Sequence, residues 1–472
     1  MNWMSFAPET VNFAAGLWFL VLSLATGPDV RRERVSALAW ASLGVAASLA
    51  SAGCQGYLLG SVYRLDLFSQ VFKILLSLGL LLVVGLCGKL EDIEPRNRRD
   101  FCILLFICNL AMMLLVSANH LLATYVSLEL SSYCLYVLTV LRKDRDSSVE
   151  AGIKYFLVGI FASAIMLFGL ALVYGTAQIA YLNEIKHAAP GLLNQPTVSI
   201  GLLLVLSGFF FKLALFPFQF WAPDVYQGAL NQVAAYIATA SKVAAIAVIV
   251  RLMVSIGYAG SYFVHVLAAM SIISMTLGNL AAIVQKDLKR LLAYSTVAHA
   301  GYVLIGILSM NPAGYAGAVF YALAILVMKS AAFLVVVMVA CNGANVSIEQ
   351  LAGLHRRSPI LALTLMVSLF SLAGIPPTIG FTGKFLLFVA AVERGYFTLV
   401  LIGMVNVVIS LYYYLLVIKA AYFTEPAVEM PQLTLSSPTR LLAMLLIGVM
   451  VTAGFYPTYL MQLANAAVRS LM

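Results

Sequence analysis

Apolar runs of about twenty residues recur from one end of the chain to the other, separated by short charged or Gly/Pro-rich connections. A helix of that length crosses a hydrocarbon layer of roughly 30 Å. The runs predict an all-α integral membrane protein of about fourteen transmembrane helices. They fall at 8–27, 36–60, 66–88, 101–118, 120–141, 150–175, 197–221, 229–256, 261–284, 290–309, 313–341, 358–391, 396–424 and 437–462. No connection is long enough for a soluble domain, so residues 1–472 read as a single polytopic membrane domain.

Two runs are interrupted. The seventh reads FFFKLALFPFQFWAPDVYQG at 209–228, with Pro217 near its middle, and the twelfth reads SLAGIPPTIGFTGKF at 371–385, with Pro376 and Pro377. Proline removes a backbone donor and breaks the helical ladder, and freed backbone at membrane depth is tolerated only against protein or a wet cavity. One broken helix in each half, five spans apart, predicts two inverted five-helix repeats, at 101–256 and 261–424.

Polar residues inside the runs are periodic. Tyr125, Glu129, Ser132 and Tyr136 share one face of the fifth helix, and Ser295, His299 and Tyr302 share one face of the tenth, whose run KDLKRLLAYSTVAHAGY opens with Lys286 and Lys289 at the cytoplasmic mouth. Such faces line protein or water rather than lipid.

Composition sharpens the class. The chain is 62% hydrophobic and 10% charged, with mean hydropathy +0.99, beyond what a soluble core absorbs. A net charge of +9 does not imply nucleic acid, because the basic runs RRER (31–34), RNRR (96–99) and RKDR (142–145) sit in short odd-numbered connections, as in cytoplasmic loops. Both termini are then expected on the outer side of the membrane. Residues 1–27 lack the basic start of a cleaved signal peptide and read as the first span. Cys54, Cys87, Cys102, Cys108, Cys134 and Cys341 show no cluster-binding spacing and read as packing residues. No GxGxxG, P-loop or metal motif is present, so no cofactor or metal is expected on this chain.

The charged residues within the spans carry the candidate chemistry. They are Lys73, Lys154, Lys212, Lys242, Arg251, Lys329, Lys384 and Lys419, with Glu129 as the one clear acid. A lysine at the bilayer centre costs about 2.5–3.5 kcal/mol on insertion scales. Lys73, Arg251 and Lys419 lie near helix ends and are expected to snorkel. The remaining set holds more bases than its single acid can neutralise, and an ammonium left unpaired in an apolar medium gives up its proton readily. Glu129, Lys154, Lys212, Lys242 and Lys384 therefore predict a proton relay, with Lys329, His299 and Lys289 as further candidates.

These residues lie in motifs that resemble a known family. SLELSSYCLYVL (127–138), EAGIKYFLVG (150–159), FKLALFPFQFWAPDVYQGA (211–229), TASKVA (239–244), the tenth-helix run and GIPPTIGFTGKF (374–385) resemble those of subunit N of bacterial proton-pumping NADH:quinone oxidoreductases, the antiporter-like membrane subunits, over nearly the whole chain. The resemblance implies Glu129 at a junction with a neighbouring subunit, Lys212 and Lys242 as a central relay, Lys384 as the lysine of the broken twelfth helix and Lys154 as a further family lysine. It implies redox chemistry in partner subunits holding NADH, FMN, iron–sulfur clusters and quinone. Lys329 resembles instead the eleventh-helix base of related antiporter subunits, and Leu416 stands where arginine is expected. An Mrp-type cation/proton antiporter subunit, or the pump module of a hydrogenase or reduced-cofactor dehydrogenase, are the alternatives. Sodium sites favour several oxygen ligands, which a single carboxylate does not supply.

Overall fold

The computed structural model describes residues 3–25, 27, 29–88, 93–142, 146–186, 195–257, 261–340, 343–426 and 431–472. Most of the basic run at 142–145, Cys341 and residues 187–194 lie outside the described residues.

The chain is a helical bundle. Its first layer is α1 (Ala7–Ala25), α2 (Val30–Ala50) and α3 (Leu67–Leu86). Asp29 starts α2 by accepting from the Arg31 and Arg32 amides, and Asp66 starts α3 through a reciprocal capping box with Ser69. The second run does not continue to residue 60. Its helix ends at Ala50, and the glycine-spaced segment beyond folds into an antiparallel hairpin, β1 (Gly56–Leu58) with β2 (Tyr63–Leu65).

Next come α4 (Arg98–Ser117), α5 (Leu121–Val140) and α6 (Asp146–Ala177). The seventh run is broken, as its proline predicts. α7 (Pro196–Leu213) ends on Ala214 in the left-handed region (φ 60°), the chain turns through a cis Phe216–Pro217 bond, and α8 (Trp221–Gly228) follows. The eighth run is also two helices, α9 (Asn231–Ala238) and α10 (Ala240–Ile256), meeting at Thr239.

The second half begins with α11 (Ser261–Ile283), α12 (Leu288–Leu308) and α13 (Pro312–Val339). Then α14 (Pro359–Ala373) ends on Gly374 (φ 87°), a cis Pro376–Pro377 bond follows, and α15 (Ile379–Val392) resumes. α16 (Phe397–Phe423), α17 (Ser437–Phe455) and α18 (Thr458–Arg469) complete the chain, the fourteenth run stopping before Pro457. Twelve helices among the described residues are long and apolar enough to cross a membrane. α2 and the two halves of the broken twelfth are not among them.

The helices α9, α10, α12 and α13 are enclosed nearly all round, whereas α6, α11, α16 and α17 present large apolar side chains outward, among them Leu157, Phe161, Leu277, Val408 and Leu445. An outward apolar rim around an enclosed centre is the distribution a lipid solvent favours. Backbones meet closely inside the bundle: a Cβ at Gly278 of α11 would lie 2.7 Å from the Ala298 nitrogen of α12. Only a residue without a side chain admits that approach.

Candidate proton-relay site

The break between α7 and α8 places Lys212 in the last turn of α7, where its Nζ donates to Ser131 Oγ at 2.9 Å and Ser132 Oγ at 3.0 Å, both on α5. Glu129 lies one turn back on α5, buried, and accepts from Ser163 Oγ of α6. Lys242 of α10 reaches back to the same break, donating to the Lys212 carbonyl at 2.6 Å, with its Nζ 4.8 Å from the centroid of the Trp221 ring. The ring face is a weak cation acceptor.

The second half is built alike. Lys384 on α15 folds back to the end of α14 and donates to the Leu372 and Ala373 carbonyls at 2.8 and 3.0 Å, 4.7 Å from the Tyr302 ring centroid. An apolar groove of about 660 Å³ between α15 and α16 opens on Lys384, flanked by Phe381, Phe385 and Phe388. Lys329 on α13 donates to the Leu292 carbonyl (2.9 Å) and Ser295 Oγ (2.8 Å) of α12. From there hydrogen bonds continue: Ser295 Oγ to the Tyr414 hydroxyl at 2.6 Å, Tyr414 to His299 Nε2 at 3.4 Å, and His299 Nδ1 to the Tyr321 hydroxyl at 2.6 Å.

Lys212, Lys242, Lys329 and Lys384 are thus all buried, and none forms an ion pair among the described residues. Neutral oxygens hold all four. Such oxygens satisfy donors without cancelling charge, so the arrangement can bind and release protons along two hydrogen-bonded clusters.

Four sequence expectations need correction. Lys154 does not join this interior set: its side chain is 45% exposed and ion-paired to Asp224 and Glu150, each at 2.7 Å. It lies two turns into α6, near the connection, where α8 brings Asp224 across. Lys73 and Arg251 do not snorkel. Lys73 has no exposed surface and pairs with Glu9 at 2.8 Å, while Arg251 grips both oxygens of Asp66 at 2.8 and 2.9 Å. Glu129 is accordingly not the only buried acid within a span, since Glu9 lies in α1. Lys419 is exposed, as expected of a snorkelling residue. Lys289 is enclosed rather than at an open mouth and donates to the Ala229 carbonyl at 2.8 Å, whereas Lys286 is exposed.

Sequence reasoning missed Tyr321, Tyr414 and Ser131, which complete the clusters. The run of three tyrosines at 412–414 inside an apolar helix was the one available signal.

Fold and site together define a polytopic helical membrane protein whose broken helices surround buried lysines held by neutral groups. The family model for the transmembrane region of NADH:quinone oxidoreductase and Mrp antiporter subunits matches residues 118–410. The chain belongs to that family. Over 472 residues, all of both chains, it is 66% identical to NADH-quinone oxidoreductase subunit N 2 of Syntrophobacter fumaroxidans, and it is 36% identical over 468 residues, 98% of each chain, to subunit N of Moorella thermoacetica. Among solved structures, a chain of respiratory complex I from Thermus thermophilus with bound aureothin superposes with a TM-score of 0.85 at 33% identity, covering 97% of this chain and 99% of that one. A chain of the Mrp complex from Dietzia sp. DQ12-45-1b shares the fold, with a TM-score of 0.88 at 22% identity over 100% of this chain and 98% of that one.

Proposed function

We propose that this chain is the proton-translocating membrane subunit N of a respiratory NADH:quinone oxidoreductase, in which redox chemistry elsewhere in the complex drives protons through Glu129, Lys212, Lys242 and Lys384. The observation that carries this reading is the set of four enclosed lysines satisfied by hydroxyls and carbonyls instead of carboxylates. NADH, FMN, iron–sulfur clusters and quinone belong to partner subunits in this reading. Lys329, Ser295, Tyr414 and His299 link the second half as a further relay segment, and Lys154 with Asp224 and Arg290 (2.6 Å) forms a charged entrance.

A proton gained near Glu129 removes a negative charge one turn from the serines that hold Lys212, favouring proton loss from Lys212. The Lys212 carbonyl then holds Lys242, so the charge change passes along the break. Coupling of this kind requires that two states differ in their interactions. The parallel between the two breaks supports inverted repeats at 101–256 and 261–424, and adding α2 and the broken α14/α15 pair to the twelve long helices supports fourteen crossings.

The test is proton pumping and electron transfer measured side by side in membranes carrying Lys212→Ala or Glu129→Ala, with assembly verified. Both rates are expected to fall severalfold. Normal rates in an assembled complex would make these residues structural.

A further inference from the structure

A second polar array, outside the relay, occupies the end of the bundle where the β1–β2 hairpin meets the C-terminus. Glu9 of α1 and Lys73 of α3 pair there at 2.8 Å, and the Tyr63 hydroxyl donates to the same Glu9 oxygen. The other Glu9 oxygen is buried and accepts no hydrogen bond from the described residues. Beside them Asp66 is gripped by Arg251 and by Arg64 (3.0 Å), and Arg64, partly exposed, donates to the Ser470 carbonyl. This array therefore touches the surface of the bundle through Arg64.

A polar seam runs inward from Glu9. Asn12, one turn along α1, receives a bond from Asn109 Nδ2 of α4 at 3.0 Å and donates to the Pro8 carbonyl at 2.8 Å, adjacent to Glu9. Asn109 Oδ1 accepts from the Tyr236 hydroxyl of α9 at 3.2 Å. Cys108 precedes Asn109 in α4, and its Sγ donates to the Ser131 carbonyl at 3.3 Å. Ser131 is one of the two serines holding Lys212. Asn12, Asn109 and Tyr236 are fully enclosed. Packing alone does not call for buried amide and hydroxyl groups joined across three helices, because each must find a partner or pay a desolvation penalty.

We propose that Glu9 and Lys73 form a terminal proton-exchange pair, connected to Lys212 by the Ser131–Cys108–Asn109–Asn12 seam. The inference rests on the relay reading of Lys212. Amide side chains do not hand on protons themselves, so water bound along the seam is the carrier. Lys212 loses a proton to that water and becomes a neutral amine; the water delivers a proton to the Glu9 carboxylate, which becomes neutral. Lys73 then releases its own proton at the Tyr63–Arg64 end, and the Glu9 proton moves to Lys73, restoring the ion pair. Lys212 regains a proton from the Glu129 side of the relay, so one proton passes per cycle and no charge accumulates.

The experiment measures the rate of proton pumping, with electron transfer alongside, in membranes with verified assembly, for Asn109→Leu, Glu9→Gln, Glu9→Asp and the double variant Glu9→Gln/Lys73→Met. The expected result is a severalfold loss in Asn109→Leu and Glu9→Gln, retention in Glu9→Asp, and no recovery in the double variant. Recovery in the double variant would make the pair a packing device, since replacing both partners of a buried ion pair is often neutral. If Glu9→Gln does not assemble, Asn109→Leu decides, because it changes no charge. Loss in Lys212→Ala with normal pumping in Asn109→Leu and Glu9→Gln overturns this inference alone. Normal pumping in Lys212→Ala overturns the relay reading and this inference with it.

Discussion

Lys73 and Lys212 are both fully enclosed lysines, yet one faces a carboxylate and the other faces two hydroxyls. The sequence places both inside apolar helices and is silent on what lies across from them. For that reason Lys212, Lys242, Lys329 and Lys384 were readable as interior charges, while Glu9 opposite Lys73, Asp224 opposite Lys154 and Asp66 opposite Arg251 were not, being distant in the chain. Glu9 was itself within reach of sequence reasoning, as an acid one turn before Asn12 at the head of an apolar run. The Arg251–Asp66 pair carries a prediction. Arg251→Ala leaves the buried Asp66 carboxylate with Arg64 as its one remaining charged partner among the described residues and should destabilise the assembled subunit by about 1–3 kcal/mol, read as a lower thermal midpoint. Burial alone would raise the Asp66 pKa, but Arg251 and Arg64 outweigh it and hold the carboxyl below its ordinary range. A depressed carboxylate stabilises the fold above its unfolded pKa of about 3.9 and loses that contribution as pH falls through the lower folded value. The destabilisation by Arg251→Ala should therefore be full at neutral pH and shrink in strong acid.

At the scale of elements, α7/α8 and α14/α15 follow one plan: a helix closed by a left-handed residue, a prolyl turn and a second short helix. Their prolines made both breaks legible. The break at Thr239 between α9 and α10 was not, because neither glycine nor proline marks it and the apolar pattern runs straight through. The hairpin after α2 was hidden likewise, its residues being apolar enough to extend the run. α15 is seated on α14 through Gly380, whose amide donates to Ser371 Oγ at 3.1 Å, and a Cβ there would lie 1.8 Å from the Ser371 carbonyl oxygen. Gly380→Ala should push α15 away from α14, lowering stability by about 1–3 kcal/mol. Since Lys384 reaches the α14 carbonyls from α15, pumping should fall as well, measured against the thermal midpoint of the same preparation.

For the whole molecule, the apolar rim, the enclosed centre and the membrane class were legible from hydropathy, because lipid imposes one rule on every outward position. The hydrogen-bonded clusters were legible only as aligned polar positions, since their closure depends on Tyr321 and Tyr414 from other helices. The orientation rests on the basic connections. Alkaline phosphatase fused after Met472 should be active outside the cell, and fused within residues 96–99 it should be inactive; the reverse would invert the topology.

Both helix breaks leave carbonyl oxygens without their usual amide partners, and lysines occupy them: Lys242 at Lys212, and Lys384 at Leu372 and Ala373. A carbonyl accepts from an amine as it does from an ammonium, and a neutral amine keeps two N–H groups, the number Lys384 uses. A lysine anchored in this way stays in place whether or not it carries its proton. The fold has thereby separated charge from position, so that each protonation change acts as an electrical signal on a nearly fixed frame.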